Sequence, residues 1–196
     1  MIIGVIGRSC SGKDRVAQFL EEKGIPSFNC DREAHRLLDE LSDQVRKLFG
    51  DEVMSDGKVD RKKLGPLVFS DPEKLERLEA LLYPALIERI KQFDEKHRIV
   101  TVNGATLEKA GIVRLCREVI FVYAPLEIRL ERALKRDGIT RERFLERNMN
   151  QKEVGLSLFE QDRPVFTILN DADEAYLYRQ IQSYYDRLSF RGYLNE

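Results

Sequence analysis

The chain has 196 residues, 42% of them hydrophobic and 34% charged, with a formal net charge of −1 at pH 7. That length holds one sizeable core, with room for a small appended subdomain. A net charge this small offers no global field to nucleic acid or to an acidic membrane, so any anion site has to be local. No apolar run approaches the ~20 residues of a membrane span. The apolar start is broken by Gly7 and Arg8 too early for a secretory signal. Cys10, Cys30 and Cys116 are odd in number and widely spaced, as expected of a reducing cytoplasm and not of a disulfide framework. Two histidines, His35 and His97, exclude a His-rich metal site.

The chain opens with a short apolar run, Ile2, Ile3, Val5 and Ile6, that meets the loop Gly7-Arg8-Ser9-Cys10-Ser11-Gly12-Lys13. Val16, Ala17, Phe19 and Leu20 then repeat at helical spacing. Strand, Gly-x4-Gly-Lys loop and helix are the context of a phosphate-binding P-loop. Its glycines permit close approach of the backbone to a ligand. Free N–H groups at the helix start, aided by the helix dipole, favour phosphate, and Lys13 would reach the β- and γ-phosphates of a nucleotide. The pattern asks for Ser or Thr next, to ligate Mg²⁺, and this chain has Asp14. A carboxylate is a good hard ligand for Mg²⁺, so Asp14 is the candidate metal residue. The plainer alternative is a strand-to-helix turn with an acidic residue at the helix start.

Gly24 and Pro26 close the first helix, and 26–30 is a second strand candidate leading to Asp31. Ala34, Leu37, Leu38 and Leu41 mark a helix, and Ser42 is read as the N-cap of another that Gly50 ends. Asp56-Gly57 is a turn signal. Ser70-Asp71-Pro72-Glu73 starts a strong helix, which Pro84 is expected to break or kink. Residues 31–95 thus read as nearly all helical. Strands are expected at 98–103 and 118–123, then a helix after Pro125 with Leu126, Leu130, Ala133 and Leu134 inward and Arg129, Arg132, Lys135 and Arg136 outward. Asp137-Gly138 breaks it, and Thr140 caps a charged helix running through Gln151. Residues 152–164 lack a period, 165–169 is the last strand, and Asn170-Asp171 is read as opening the C-terminal helix. Five short apolar strands separated by helices predict a doubly wound, parallel α/β sheet with ligands at the strands' carboxyl ends.

Over nearly its whole length the chain resembles the dephospho-coenzyme A kinases, a P-loop nucleotide-kinase family. Beyond the loop, the resemblance is carried by Asn29-Cys30-Asp31 with Ala34-His35, by Asp56-Gly57 through Asp71-Pro72, and by Leu78-Glu79 with Leu82-Tyr83-Pro84. Arg132, Arg136-Asp137-Gly138, Arg147 and Gln151 are similar to the family's lid, and 166–170 to its last strand and turn. The chain departs from the family at Asp14, Asn29 and Tyr83, and after the third strand. There Asn103-Gly104-Ala105 stands where the family often has Asp-x-Pro. The stretch between Gln151 and Phe166 is slightly longer than usual.

The resemblance implies a five-stranded P-loop kinase core in a single domain over 1–196, with a helical substrate-binding insertion at 31–95 and a lid at 137–155. It implies transfer of the ATP γ-phosphoryl group to the ribose 3′-hydroxyl of dephospho-CoA, with Mg²⁺, by a cytoplasmic protein that acts on small molecules without nucleic acid or membrane, as a monomer or weak homo-oligomer. Catalytic roles fall on Lys13, on Asp31 as the residue that orients the acceptor, and on Arg136 as the lid clamp. Nucleotide contacts fall on Gly7, Cys10, Ser11, Gly12, Lys13, Asp14, Arg15, Arg136 and Asn170, and acceptor contacts on Asp31, His35, Arg61 and Tyr83. Another small-molecule kinase on the same scaffold, or a nucleotide- or CoA-binding homologue without full catalysis, are the alternatives.

Overall fold

The computed structural model describes residues 1–151, 154, 155, 158 and 162–194. From the amino terminus, β1 (Ile2–Ile6) leads through the glycine loop into α1 (Lys13–Glu22), and β2 (Ser27–Asn29) into α2 (Cys30–Glu40). There follow α3 (Ser42–Phe49), a hairpin of β3 (Met54–Ser55) and β4 (Lys58–Val59), α4 (Arg61–Phe69) and α5 (Pro72–Asp94). β5 (Val100–Asn103), β6 (Glu118–Tyr123), α6 (Leu126–Asp137), α7 (Arg141–Asn150), β7 (Val165–Leu169) and α8 (Glu174–Phe190) complete the order. The chain divides into two compact units, Met1–Phe28 with Asp94–Glu196, and Asn29–Phe93.

The first unit is built on a five-stranded sheet of order β2-β5-β1-β6-β7, in which β1 runs parallel to β5 and β6, and β6 parallel to β7. The α/β sheet expected from the sequence is present. Every residue of β1 is buried, because a central parallel strand is covered on both faces; its sequence is therefore a continuous apolar run and not an alternation. Ile3, Val5, Val16, Leu20, Ile120, Ile168, Leu177 and Ile181 share one core that joins the sheet to α1 and α8. Register sets Val5 of β1 beside Asn103 of β5 and Ile120 of β6, so the carboxyl ends of these strands finish together beside the glycine loop.

Helix ends follow local chemistry with one displacement. Gly24, at φ 89°, turns the chain after α1 while its N–H donates to the Glu21 carbonyl at 2.9 Å. Thr140 caps α7 by accepting from the Arg143 N–H. α8 starts later than expected. Its cap is Asp173, which accepts from the Tyr176 N–H at 2.7 Å, and Asn170 and Asp171 lie ahead of the helix. Residues 152 and 153 of the expected lid, and 156, 157 and 159–161 of the aperiodic stretch, lie outside the described residues.

The second unit contains α2, α3, α4, most of α5 and the hairpin. Asp56 (φ 50°) and Gly57 (φ 76°) are both left-handed, the conformation of a two-residue hairpin loop, so the expected turn brings two short strands with it into an otherwise helical segment. Two sequence readings are corrected here. Ser42 is the first residue of α3 and not its cap, a position held by Leu41 without a side-chain bond. Pro84 does not break α5, which runs unbroken for 23 residues. Proline removes one donor, to the carbonyl four residues back. That residue, Ala80, is exposed, so water can replace the donor. Leu78, Leu82, Leu86 and Ile90 meanwhile bury one continuous stripe. Glu33, 9% exposed, receives Arg89 of α5 and Arg36 of its own helix, and Arg89 also holds Glu40. Among the described residues no helix is long and apolar enough to cross a membrane.

Candidate nucleotide site

The loop between β1 and α1 is a cradle whose two glycines have no room for a side chain. A Cβ on Gly7 would lie 2.4 Å from the Ser11 Oγ and 2.6 Å from the Val122 carbonyl oxygen. On Gly12, at φ 100°, it would lie 2.0 Å from the Asn170 Nδ2. Asn170 is the brace. Its Nδ2 donates to the Ser11 carbonyl at 2.7 Å and its backbone N–H to the Tyr123 carbonyl at 2.7 Å, which fastens the ends of β6 and β7 to the loop. Cys10 carries a left-handed φ of 62° without being glycine, and packs its side chain against Ala133 and Phe144.

α1 begins at Lys13 with no side-chain cap, so N–H donors of its first turn stand at the positive end of the helix dipole. Lys13 itself is only 8% exposed and makes no hydrogen bond or ion pair among the described residues. It opens on a cleft of about 570 Å³ that Asp14, Arg15, Arg132, Arg136 and Asn170 also line. Its ammonium faces this cleft with no protein partner among the described residues, and the guanidinium groups around it are of like charge. The arrangement is suited to a polyanion.

The arginines differ in how they are held. Arg132 Nη2 donates to the Asn170 carbonyl at 3.1 Å and to its Oδ1 at 3.0 Å, and Nη1 to the Cys10 carbonyl. Burial pulls its pKa down. Arg136 is gripped by its neighbour Asp137 at 2.7 Å, and this bond raises its pKa. Its Nη2 also meets the Cys10 Sγ at 3.6 Å. The same bond holds the Asp137 carboxyl below its usual range, helped by Arg147. Arg15 forms an exposed pair with Glu174 at 3.3 Å, a contact of little energetic weight. Asp14 is an exposed residue, and its Oδ1 accepts the Asn103 Nδ2 at 2.7 Å. The Ser11 Oγ is buried without a partner among the described residues.

One residue of this site was missed. Arg129 is read from the sequence as outward-facing and is 4% exposed, whereas Leu126 and Leu134, read as inward, are 36% and 44% exposed. Its Nε donates to the Ala124 carbonyl, Nη1 to the Ser9 carbonyl and Nη2 to the Asn148 Oδ1 at 2.8 Å, with the guanidinium over the Phe144 ring. Gln151 accepts the Ser9 N–H at 2.8 Å and Arg147 reaches the Ser9 Oγ. The loop tip is thereby tied to α7 and its end from three sides. An i+4 partner, Ala133, on the buried face was the only available signal.

The expected acceptor residues lie in the second unit. Asp31 is in the first turn of α2, but the cap there is Asn29, which accepts the Arg32 N–H at 2.9 Å. Asp31 is therefore not spent on capping. His35 follows one turn later, its pKa pushed below 6.5 by burial and by Arg61, against the opposing pull of Asp31 and Asp39. Asp31, His35 and Arg61 thus share one electrostatic neighbourhood. Tyr83, on α5, is not among the groups acting on His35; burial, with Glu79 one turn earlier, holds its phenol protonated.

Comparison with known proteins agrees with this geometry. The family model described as dephospho-CoA kinase matches residues 1–157. A dephospho-CoA kinase of Fusobacterium nucleatum is 33% identical over 147 residues, which cover 72% of this chain and 76% of the relative. One from Sulfurimonas denitrificans is 30% identical over 190 residues, covering 95% and 93%. A crystal structure from Thermus thermophilus superposes with a TM-score of 0.80 at 29% identity, over 96% of this chain and 97% of that one. A braced glycine cradle, a lysine at its helix start that has no partner among the described residues, and matches of this length have one common explanation: the chain belongs to the dephospho-CoA kinase family.

Proposed function

We propose that this protein transfers the γ-phosphoryl group of ATP to the ribose 3′-hydroxyl of dephospho-CoA, giving coenzyme A, in the presence of Mg²⁺. The observation that carries the reading is Lys13: a cationic residue only 8% exposed, without a partner among the described residues, at the uncapped start of α1. Phosphoryl transfer is mainly positioning plus charge stabilisation. The loop amides and Lys13 bind the phosphates, and Arg132 and Arg136 face the same cleft from α6. Asp31 orients the acceptor hydroxyl or takes its proton, with His35 and Arg61 beside it. Tyr83 is assigned to the acceptor's pantetheine arm. The lid residues around α7 exclude water, which would otherwise consume ATP.

Mg²⁺ fits the residues present. Asp14 offers a carboxylate, and among the described residues no group of three His, Cys, Asp or Glu could hold a metal alone. One carboxylate plus substrate phosphates is the usual way Mg²⁺ is bound, and when bound it neutralises charge on the phosphates. In this reading the protein works on small molecules in the cytoplasm, as a monomer or weak homo-oligomer.

An assay with ATP, Mg²⁺ and dephospho-CoA, read as ADP release and 3′-phosphorylated product, tests the proposal. Turnover on this acceptor is the expected result. Turnover on other acceptors alone, or nucleotide binding without any turnover, overturns it.

A further inference from the structure

We infer that Asp14 and Asn103 are one metal-positioning unit in which the two roles have been exchanged between loop and strand: the carboxylate stands in the P-loop, and the neutral side chain that aims it stands at the end of β5. The inference rests on the reading of Asp14 as the Mg²⁺ ligand. In P-loop enzymes the metal is ordinarily held by a loop hydroxyl together with a strand-borne Asp. Here the loop residue is Asp14 and the strand residue is Asn103. Each departure alone reads as damage; side by side, they conserve a single negative charge.

The contact is specific. Asn103 is 2% exposed, and its Nδ2 donates to the Asp14 Oδ1 at 2.7 Å. An ionised carboxylate can only accept, so the amide nitrogen has to face it. That fixes the flip of Asn103 and leaves its Oδ1 on the other side, buried and without a partner among the described residues. A buried acceptor without a partner is destabilising, so the amide is held toward Asp14 at a cost to the fold. The backbone supplies the reach: β5 pairs with β1 in the register Val5↔Asn103, where β1 ends and the loop begins. Asn103 is accordingly a positioning residue. It holds Asp14 in one orientation through its side-chain N–H. An Asp at 103 beside Asp14 would set two carboxylates at hydrogen-bond distance, and both could not stay ionised there.

The test is an exchange cycle read by binding. ATP affinity is measured by calorimetry with and without Mg²⁺, and Mn²⁺ bound to the protein–ATP complex by electron paramagnetic resonance, for the native chain, Asn103→Ala, Asn103→Asp, Asp14→Ser and the double exchange Asp14→Ser/Asn103→Asp. Loss of an outer partner of a metal ligand is expected to cut metal affinity by about 10- to 100-fold. Each single variant should lose Mg²⁺-dependent ATP affinity on that scale while metal-free ATP binding changes little. The double exchange should recover most of it. Asn103→Asp is isosteric, so the cycle stands even where Asn103→Ala fails to fold. Single variants at 103 that keep the Mn²⁺ signal and the Mg²⁺ effect of the native chain overturn the inference, as does a double exchange no better than its worse single. A native chain whose ATP affinity ignores Mg²⁺ overturns the Asp14 reading itself, a result distinct from the other two.

Discussion

Lys13 and Glu118 are both charged, both buried, and stand at opposite ends of the parallel sheet. Glu118, 1% exposed at the start of β6, accepts from Arg187 at 2.6 Å, from Arg191 at 2.8 Å and from the Tyr184 hydroxyl at 3.2 Å. Lys13, past the carboxyl end of β1, has no partner among the described residues. Taking a charge out of water costs several kcal/mol. At Glu118 the fold offsets that cost with its own cations and so fastens α8 to the sheet. At Lys13 the charge is left facing the cleft, with no protein partner among the described residues. A buried charge that the fold satisfies belongs to the structure; one that it leaves unsatisfied belongs to a ligand, at some expense of stability.

The largest effect expected from this contrast is at Lys13. Lys13→Ala should lower kcat by about 100- to 1,000-fold, the usual loss on removing a charge-stabilising group, while the thermal midpoint holds or rises. A variant that instead melts well below the native chain would make Lys13 a structural residue and erase the comparison. Glu118→Ala should do the reverse. Removing one member of a buried pair is destabilising by about 3–5 kcal/mol. The low end applies here, because Arg187 and Arg191 keep 30% and 41% exposure and can turn to solvent. Chemical denaturation reads that loss, and the fraction still folded should keep the native KM for ATP.

Arg129 stands between these cases and also marks where sequence reading stops. The glycine loop, the five strands and the breaks at Gly24 and Gly138 were legible, because each depends on residues within a few positions of one another. β1 could be read as a strand from its apolar run alone, and Thr140 as a cap from its place before a charged helix. The inward turn of Arg129 depends on three acceptors brought from elsewhere, the carbonyls of Ala124 and Ser9 and the Asn148 side chain. Helical periodicity puts a charge outside and a leucine inside, so it misplaced Arg129, Leu126 and Leu134 while placing Ala133 and Leu130 on the packed face correctly. The Asp14–Asn103 bond was hidden for the same reason: 89 positions separate residues that the register of β1 and β5 makes neighbours. Arg129→Met, which keeps length and loses every donor, should destabilise the chain by about 2 kcal/mol, near the cost of buried acceptors left unpaired. It should also raise the KM for ATP and speed amide exchange in α7. Stability lost with KM and exchange unchanged would reduce Arg129 to a packing residue.

The smallest effect belongs to the second unit, where charges are partly solvated and water does much of the compensation. Burial and Arg61 depress the His35 pKa, and Asp31 and Asp39 oppose them. Above pH 6.5 the imidazole is neutral in both folded and unfolded chains and contributes nothing to the pH slope. As pH falls through 6.5 the unfolded chain takes up the proton first, so stability declines until the folded His35 titrates as well. The midpoint followed by NMR should lie below 6.5. Arg61→Ala should move it up by removing a like charge, and Asp31→Asn should move it further down by removing an attractive one. The two opposite displacements are the informative part. Burial alone would depress the pKa equally in both variants, so a midpoint indifferent to Asp31 and Arg61 would separate His35 from them and dissolve the acceptor-side cluster, leaving the contrast between Lys13 and Glu118 untouched.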